Sequence, residues 1–355
     1  MLNVVRNKTF GLAVPLLISL LCLGIAQGET LGNLLPNPSF EEISDSGRPE
    51  GWTEFHPWGT GATVIVDETV AHSGSRSVKI HCPSDTDRGT VGLFLPVEPG
   101  QTYQFQGWLK TEGLIGLYTN KGPVARFSLL ENKEDPSAKY TLYAHGTGAT
   151  DWELVETAFV VPPGINWIRL DLFMLFQQGT AWWDDVEFFL RDEANLLPNS
   201  SFELIHEGVL LRWGRDNWGT KGQVSIDDST AKEGKVSVKL HAPSGDDRAA
   251  VNHRMFVIPG ATYRFSAWVK TEGVVGGDLP DKGPLARILF YEDDKATSGQ
   301  HTILVHAPKN QEWTYVSHEF TVPEGMYSMR IDLFMFFQPG TVWWDDVELA
   351  FISLP

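Results

Sequence analysis

The chain has 355 residues, of which 42% are hydrophobic and 21% are charged, a globular composition that excludes a disordered protein. Its formal net charge of −17 argues against a nucleic-acid binder, because such a protein needs a basic surface. Its two cysteines exclude a disulfide scaffold and a multi-cysteine zinc site. The 13 Trp, with 34 Gly and 21 Pro, favour many short strands joined by turns. The Trp side chains then form either a surface suited to stacking or Trp-rich β cores.

The first 28 residues have the pattern of a secretory signal peptide. Arg6 and Lys8 precede an apolar run from Gly11 to Ile25, which ends among small residues suited to cleavage. The run is short for a membrane-spanning helix, so an uncleaved anchor is the less favoured alternative. We therefore expect residues 1–28 to be removed, and the mature chain to be secreted, at the cell surface or periplasmic. No later segment is long and apolar enough to span a membrane.

The rest of the sequence is a tandem repeat. The motif Asn33–Glu41 returns as Asn195–Glu203 with eight of nine residues identical, and Gln177–Glu187 returns as Gln338–Glu348 with nine of eleven identical. Repeats of this length are duplicated domains, because solenoid units are far shorter. The second repeat ends with the chain, so we expect no attached catalytic domain.

Each repeat is predicted to be β throughout. From Tyr103 to Lys110 apolar residues alternate with mainly polar ones, the period of two that is typical of a half-buried strand, and Tyr263–Lys270 repeats the pattern. Sustained helical periodicity with capping residues is not found. We therefore predict two tandem all-β domains, each a two-sheet sandwich or jelly roll, over residues 29–192 and 193–355.

One face of each predicted sheet carries residues suited to a glycan. Along Ile168–Gln177 one side of the strand is apolar, whereas the other mixes Arg, Asp, Phe and Gln. Aromatic rings stack on the C–H face of a sugar, and the polar groups hydrogen-bond its hydroxyls. We expect Trp108 to share this open face, and Trp58 to lie either on a loop over it or elsewhere. The alternative is an Arg–Asp network that only covers the sheet. The candidate glycan-binding residues are Trp58, Arg88, Trp108, Arg126, Arg169, Asp171, Phe173 and Gln177 in the first repeat, and Trp218, Arg248, Trp268, Arg287, Arg330, Asp332, Phe334 and Gln338 in the second.

Carboxylates open and close each repeat. Because the first and last strands of a sandwich often meet, we expect these side chains to come together as hard oxygen ligands that suit Ca²⁺. The alternative is an acidic strand end that faces lysine or solvent. The candidate metal ligands are Glu41, Asp184, Asp185, Glu203, Asp345 and Asp346.

The order of the motifs, found twice, resembles the carbohydrate-binding modules of the family 4, 9 and 22 type. In the first repeat the motifs are Asn33–Glu41, Gly51-Trp52, Ala71–Gly74, Val97–Gly100, Tyr103–Trp108 and Trp182–Val186. The resemblance implies a galactose-binding-like jelly roll in each repeat, with glycan binding on a concave face. It also implies one structural Ca²⁺ per module, held by the Glu of the first motif and one Asp of the last. Such modules are usually appended to polysaccharide-degrading enzymes, which are the protein partners that it implies.

The leading prediction is a secreted, non-catalytic protein that binds polysaccharide, with neither nucleic acid nor a membrane span. The alternative is a cell-surface structural or adhesion protein that uses the same sandwiches for protein contacts. A hydrolase is less favoured, because the spacing singles out no carboxylate pair for the two required roles. Arg88, Arg126 and Arg169 leave room for an acidic glycan, but Asp87 and Asp171 are expected to neutralise them, which slightly favours a neutral one.

Overall fold

The computed structural model describes residues 32–115, 122–135, 137–191, 195–206, 208–293 and 295–355. Its regular elements there are 22 strands, which confirms the all-β prediction. The predicted signal peptide, residues 1–28, lies outside the described residues. In the part of the chain that the structure describes, no helix has the length and apolar character needed to cross a membrane.

The first module is a sandwich of two five-stranded antiparallel sheets. We call β1-β4-β9-β6-β7 front sheet 1 and β2-β3-β10-β5-β8 back sheet 1. The strands are β1 (Glu54–Trp58), β2 (Thr63–Asp67), β3 (Ser77–Cys82), β4 (Arg88–Pro96), β5 (Thr102–Glu112), β6 (Gly122–Leu130), β7 (Tyr140–His145), β8 (Glu153–Val160), β9 (Trp167–Leu175) and β10 (Gly179–Leu190).

The second module repeats this strand order after a short hairpin. Front sheet 2 is β13-β16-β21-β18-β19, and back sheet 2 is β14-β15-β22-β17-β20. The strands are β11 (Ile205–His206) and β12 (Val209–Leu210) in the hairpin, then β13 (Gly214–Asp216), β14 (Gln223–Asp227), β15 (Ser237–Ala242), β16 (Arg248–Phe256), β17 (Thr262–Glu272), β18 (Gly283–Tyr291), β19 (His301–His306), β20 (Thr314–Thr321), β21 (Ser328–Phe336) and β22 (Gly340–Ser353).

The core of the first module lies between its two sheets. Every second residue of β9, from Ile168 to Met174, is fully buried there, as the period of two predicts. The back sheet contributes Phe105 and Trp183, and Phe105 meets Phe127 of the front sheet edge-on, with ring centroids 5.3 Å apart. The remaining residues of β9 point outward, so the front sheet has a separate outer surface. Two tandem jelly-roll sandwiches are therefore the fold.

The two modules contact each other through an arginine and a group of aromatic rings. Arg212 donates hydrogen bonds to the backbone carbonyls of His145 and Leu154, the latter at 2.9 Å. Tyr140 lies 5.2 Å from Phe256 between ring centroids. Each sheet draws its strands from one repeat only. The boundary at residue 192 stays a prediction, because residues 192–194 lie outside the described residues.

Candidate functional site

The outer surface of front sheet 1, which we call front face 1, is the candidate site. It forms because the antiparallel register aligns the outward residues of five strands in rows. One row is Glu54, Gly92, Asp171, Arg126 and Tyr143; the next is His56, Thr90, Phe173, Val124 and His145; the third begins with Trp58, Arg88 and Leu175.

Asp171 lies at the centre of the hydrogen bonds of front face 1. Its carboxylate is 0% exposed and accepts hydrogen bonds from Arg126 Nη2 at 2.7 Å and Arg169 Nε at 3.0 Å. The hydroxyl of Thr90 adds a third bond at 3.1 Å. A buried carboxylate is tolerated only when it is paired in this way. The predicted Arg–Asp network is therefore present: Asp171 pairs with two of the three arginines and fixes their orientation.

Aromatic rings lie beside this network. Trp58, half-buried on edge strand β1, has its ring centroid 6.0 Å from that of Phe173. The guanidinium of Arg126 lies 4.7 Å from the Phe173 centroid, within cation–π range. On the opposite edge strand, Tyr143 is 43% exposed. The sequence prediction missed Tyr143, because only the strand order brings β7 beside β6.

Arg88 differs from the other two arginines. Its guanidinium carbon lies 5.3 Å from the Trp58 ring centroid and 5.2 Å from that of Phe176. Among the described residues, no carboxylate forms an ion pair with it. Asp87 is fully buried and instead accepts hydrogen bonds from the Thr60 backbone N–H at 3.0 Å and from a serine hydroxyl. The expectation that Asp87 neutralises Arg88 is therefore wrong.

The outer surface of front sheet 2, front face 2, repeats the network with a more apolar surround. Asp332 is buried and contacts Arg287 at 2.9 Å and Arg330 at 3.0 Å. Burial raises the pKa of Asp332, although both arginines oppose the shift. Trp218 follows β13 and stacks on Phe334, with centroids 5.5 Å apart. The apolar group around Phe334 comprises Ala250 and Leu285, with Trp218, Leu304 and Phe336 packed against it.

Comparison with known proteins finds a similarity for the first module. Residues 32–175, which include β1 to β9, match the family model described as a carbohydrate binding domain. The first module is therefore similar to this family over the matched residues. The second module lies outside the matched residues but has the same motifs and strand order as the first. No curated protein matches the chain in sequence.

Solved structures with a similar fold include three distant ones. Tailspike protein 4 of bacteriophage CBA120 matches with a TM-score of 0.37 and 18% identity over 44% of this chain, which covers 21% of that chain. A CBM22-1-CBM22-2 tandem domain from Paenibacillus barcinonensis gives 0.34 and 15%, over 92% of this chain and 100% of that one. A Stig cyclase from Fischerella sp. TAU gives 0.33 and 15%, over 45% and 98%. These similarities are too distant to assign a ligand or an activity.

Trp108 and Trp268 do not lie on the front faces of the two modules. Strands β5 and β17, which carry them, belong to the back sheets. Trp108 stacks on His72 with ring centroids 4.0 Å apart, and Lys232 Nζ lies 3.9 Å from the Trp268 centroid. The expectation that Trp108 shares a face with Arg126 is therefore wrong. A period of two assigns a residue to one side of its strand, but it does not assign the strand to a sheet.

The prediction from the period of two also places Gln177 and Gln338 wrongly. Both are buried, and Gln177 Nε2 donates to the Ile115 carbonyl at 2.7 Å, which ties down the segment after β5. The backbone of Phe176 has φ 48°, and that of Phe337 has φ 47°, so the extended conformation ends just before each glutamine. The two glutamines therefore position loops and do not belong to the front faces.

The carboxylates predicted to bind metal converge on one loop, residues 71–76. Glu41 accepts hydrogen bonds from two backbone N–H groups of this loop at 2.7 and 2.9 Å, and Asp184 accepts from two others at 2.7 and 3.2 Å. Asp185 bonds the His72 ring at 2.7 Å. In the second module, Glu203 and Asp345 accept from backbone N–H groups, and Asp346 adjoins them. The predicted convergence is therefore present.

The arrangement does not fit a metal site as it stands. Both oxygens of Glu41 and of Asp184 already accept hydrogen bonds, including one from the Ser75 hydroxyl to Glu41. Among the described residues, no three His, Cys, Asp or Glu side chains are grouped to hold a metal. Burial raises the pKa of Asp184 to about 6. In this structure the carboxylates hold the loop in place by hydrogen bonds to its backbone. The binding of Ca²⁺ stays a prediction, which a comparison of melting temperatures with and without a chelator will test.

Proposed function

We propose that this chain is a secreted, non-catalytic protein that binds polysaccharide on the front faces of its two modules. The match of residues 32–175 to the carbohydrate binding domain carries the proposal. The Trp58–Phe173 pair, beside arginines fixed by Asp171, supports the choice of surface. Export rests on the signal-peptide pattern of residues 1–28, and amino-terminal sequencing of the exported protein will test it.

Front face 1 offers both kinds of contact that a sugar needs. The half-buried Trp58 and the exposed Tyr143 present aromatic surface on opposite edge strands, and these two strands are four strand spacings or about 19 Å apart. Between them, Arg126 and Arg169 keep a fixed orientation because Asp171 holds both. Rings at the two edges and oriented donors in the middle suit a chain of sugars laid across the strands.

The carboxylates of front face 1 support binding without catalysis. Glycoside hydrolysis needs a proton donor and a second carboxylate on opposite sides of the bond that breaks. Glu54 and Asp171 instead both contact Arg169, at 3.4 and 3.0 Å. Two carboxylates on one arginine are arranged to neutralise it. Secreted polysaccharide-degrading enzymes remain the partners expected for such a module.

A glycan array of the full chain, followed by affinity electrophoresis of matched variants, tests the proposal. Trp58→Ala with Trp218→Ala removes stacking area from both front faces and is expected to weaken binding about tenfold or more, since one ring contributes ~1–2 kcal/mol. Trp108→Ala with Trp268→Ala removes two rings from the back sheets and is the control.

Three outcomes contradict parts of this proposal. A chain that binds no glycan but binds a surface protein favours the adhesion alternative. Release of reducing sugar contradicts the non-catalytic assignment. Loss of binding in the back-sheet variant alone, with melting unchanged, moves the site to the back sheet.

A further inference from the structure

Arg88 and Arg248 occupy equivalent positions, and each lies between the same two kinds of ring. Arg248 is 4.4 Å from the Trp218 centroid and 5.1 Å from that of Phe337, as Arg88 is 5.3 and 5.2 Å from Trp58 and Phe176. The Trp comes from the start of each front sheet and the Phe from the left-handed residue after β9 or β21. Each module thus has the same arrangement, an arginine between a Trp ring and a Phe ring from separate segments of the chain, which we call the arginine slot.

These two arginines have no protein acceptor among the residues that the structure describes. Arg248 Nε is buried without a hydrogen-bond partner. The neighbouring carboxylate of Asp247 accepts instead from the Lys221 backbone N–H at 2.8 Å and a serine hydroxyl at 2.6 Å, just as Asp87 is occupied in the first module. The other predicted arginines of the faces are paired with Asp171 or Asp332.

A stacked guanidinium with free N–H groups suits a planar anion. Stacking on aromatic faces leaves the edge of the guanidinium open, and its fork of donors matches both oxygens of a carboxylate. A charge-assisted bond of this kind is roughly twice as strong as one to a neutral hydroxyl. Because part of the slot is shielded from water, an anion would also compensate a cation that the protein leaves unpaired.

The charge of the whole chain does not prevent this. The net charge of −17 repels an acidic polymer at long range. Its field is screened within about 10 Å at ordinary ionic strength. Within that distance front face 1 carries Arg88, Arg126 and Arg169 against Glu54, Asp171 and Asp87, the residue before Arg88. The local balance of these groups is therefore close to neutral, so the negative charge of the chain is not concentrated on this face.

We infer that the glycan is acidic and that Arg88 and Arg248 receive its uronate carboxylates. This inference rests on the proposed glycan-binding function and adds the class of ligand to it. The paired arginines and the Trp rings contact the sugar itself, while the slot arginine selects its charge.

The probes are polygalacturonate, polyglucuronate and alginate, each compared with its own carboxyl-reduced form, which keeps the polymer but removes the charge. Affinity electrophoresis of the full chain is expected to show binding to at least one polyuronate. We expect binding to weaken about tenfold or more on carboxyl reduction, and to weaken as salt is raised.

Matched variants then locate the charge selection. Arg88→Gln with Arg248→Gln is expected to bind the polyuronate about tenfold more weakly, and to lose much less affinity for the carboxyl-reduced polymer. Arg88→Lys with Arg248→Lys keeps the charge without the fork and is expected to fall between. Lys110→Gln with Lys270→Gln removes two charges from the back sheets and is expected to bind like wild type.

The outcomes separate this inference from the function beneath it. Equal binding of native and carboxyl-reduced polymers overturns the acidic ligand and leaves glycan binding in place. Preference for dextran sulfate over every polyuronate overturns the carboxylate assignment. Absence of binding to any glycan of the array overturns the proposed function. The comparison of native and reduced polymers uses wild-type protein, so it stands even if a variant fails to fold.

Discussion

Replacement of Asp171 by Asn tests whether the buried carboxylate of front face 1 supports the fold. Asn keeps the shape of the side chain but removes the charge that two guanidinium groups share at 2.7 and 3.0 Å. Arg126 and Arg169 are then left close together with Glu54 as the nearest carboxylate, 3.4 Å from Arg169. Breaking a buried pair in this way costs about 3–5 kcal/mol of the free energy of unfolding.

For a module of this size that loss lowers the melting temperature by roughly 6–20 °C. Urea unfolding of the full chain, followed by intrinsic Trp fluorescence, measures the free-energy change directly. Glu68→Gln is the matched control, because it also breaks an arginine–carboxylate contact, with Arg76 at 3.1 Å, but Glu68 is 69% exposed. Exposed pairs contribute about 0–1 kcal/mol.

A loss below about 1 kcal/mol for Asp171→Asn would refute this reasoning, because it would place the buried pair with ordinary surface pairs. The double variant Asp171→Asn with Arg126→Gln sharpens the test. It removes one of the two cations left unpaired, so its cost should be smaller than the sum of the two single costs. Additive costs would mean that the two groups do not interact.

Two further effects are expected. Gly74 has φ +62°, and a Cβ there would clash with the Glu41 carboxylate, whereas a Cβ at Gly113 would meet nothing within 4 Å. Gly74→Ala should therefore lower the free energy of unfolding by more than the ~1–2 kcal/mol of backbone strain expected for Gly113→Ala. Equal losses in urea unfolding would exclude a role for the contact with Glu41. Burial alone would raise the pKa of Asp67, but hydrogen bonds from a threonine hydroxyl and an indole N–H outweigh burial and hold this pKa well below its usual range. Hydrogen bonds from a serine hydroxyl and an indole N–H likewise lower the pKa of Asp227. These carboxylates therefore stabilise the fold above their unfolded pKa of about 3.9, and this stability is lost as pH falls through their pKa values in the folded protein. Asp67→Asn with Asp227→Asn should flatten the dependence of the free energy of unfolding on pH below about 4. An unchanged slope would show that other groups cause it.

The sequence predicts strands and their outward residues well, because both depend on local alternation. The core-facing positions of β9 follow the period of two from Ile168 to Met174, although the outward Asp171 and Phe173 are also buried. Repetition of the motifs also predicts two modules of equal strand order, and the carboxylates at the ends of the repeat do meet at one loop.

Other features of the site depend on long-range pairing and could not be predicted. Trp108 has the alternation expected of a surface residue, but its strand pairs with β8 and β10 and so joins the back sheet. The register that sets Arg126 opposite Asp171 is likewise fixed by the whole sheet. The turn of the backbone at Phe176, a residue that seldom adopts positive φ, carries no local sequence signal that separates it from a strand residue.

The contact between the modules has a consequence for the proposed binding of a long polymer. Two sites on a flexible tether sample many separations, and the effective concentration of the second site is spread over all of them. Arg212 binds backbone carbonyls of the other module, and Tyr140 packs against its rings, which restricts that sampling. A polymer that reaches both sites at the separation so fixed gains avidity, while others bind one site at a time. For the proposed glycan-binding function, the interface makes the distance between binding segments along the polymer a second determinant of specificity, independent of the residues proposed to touch sugar.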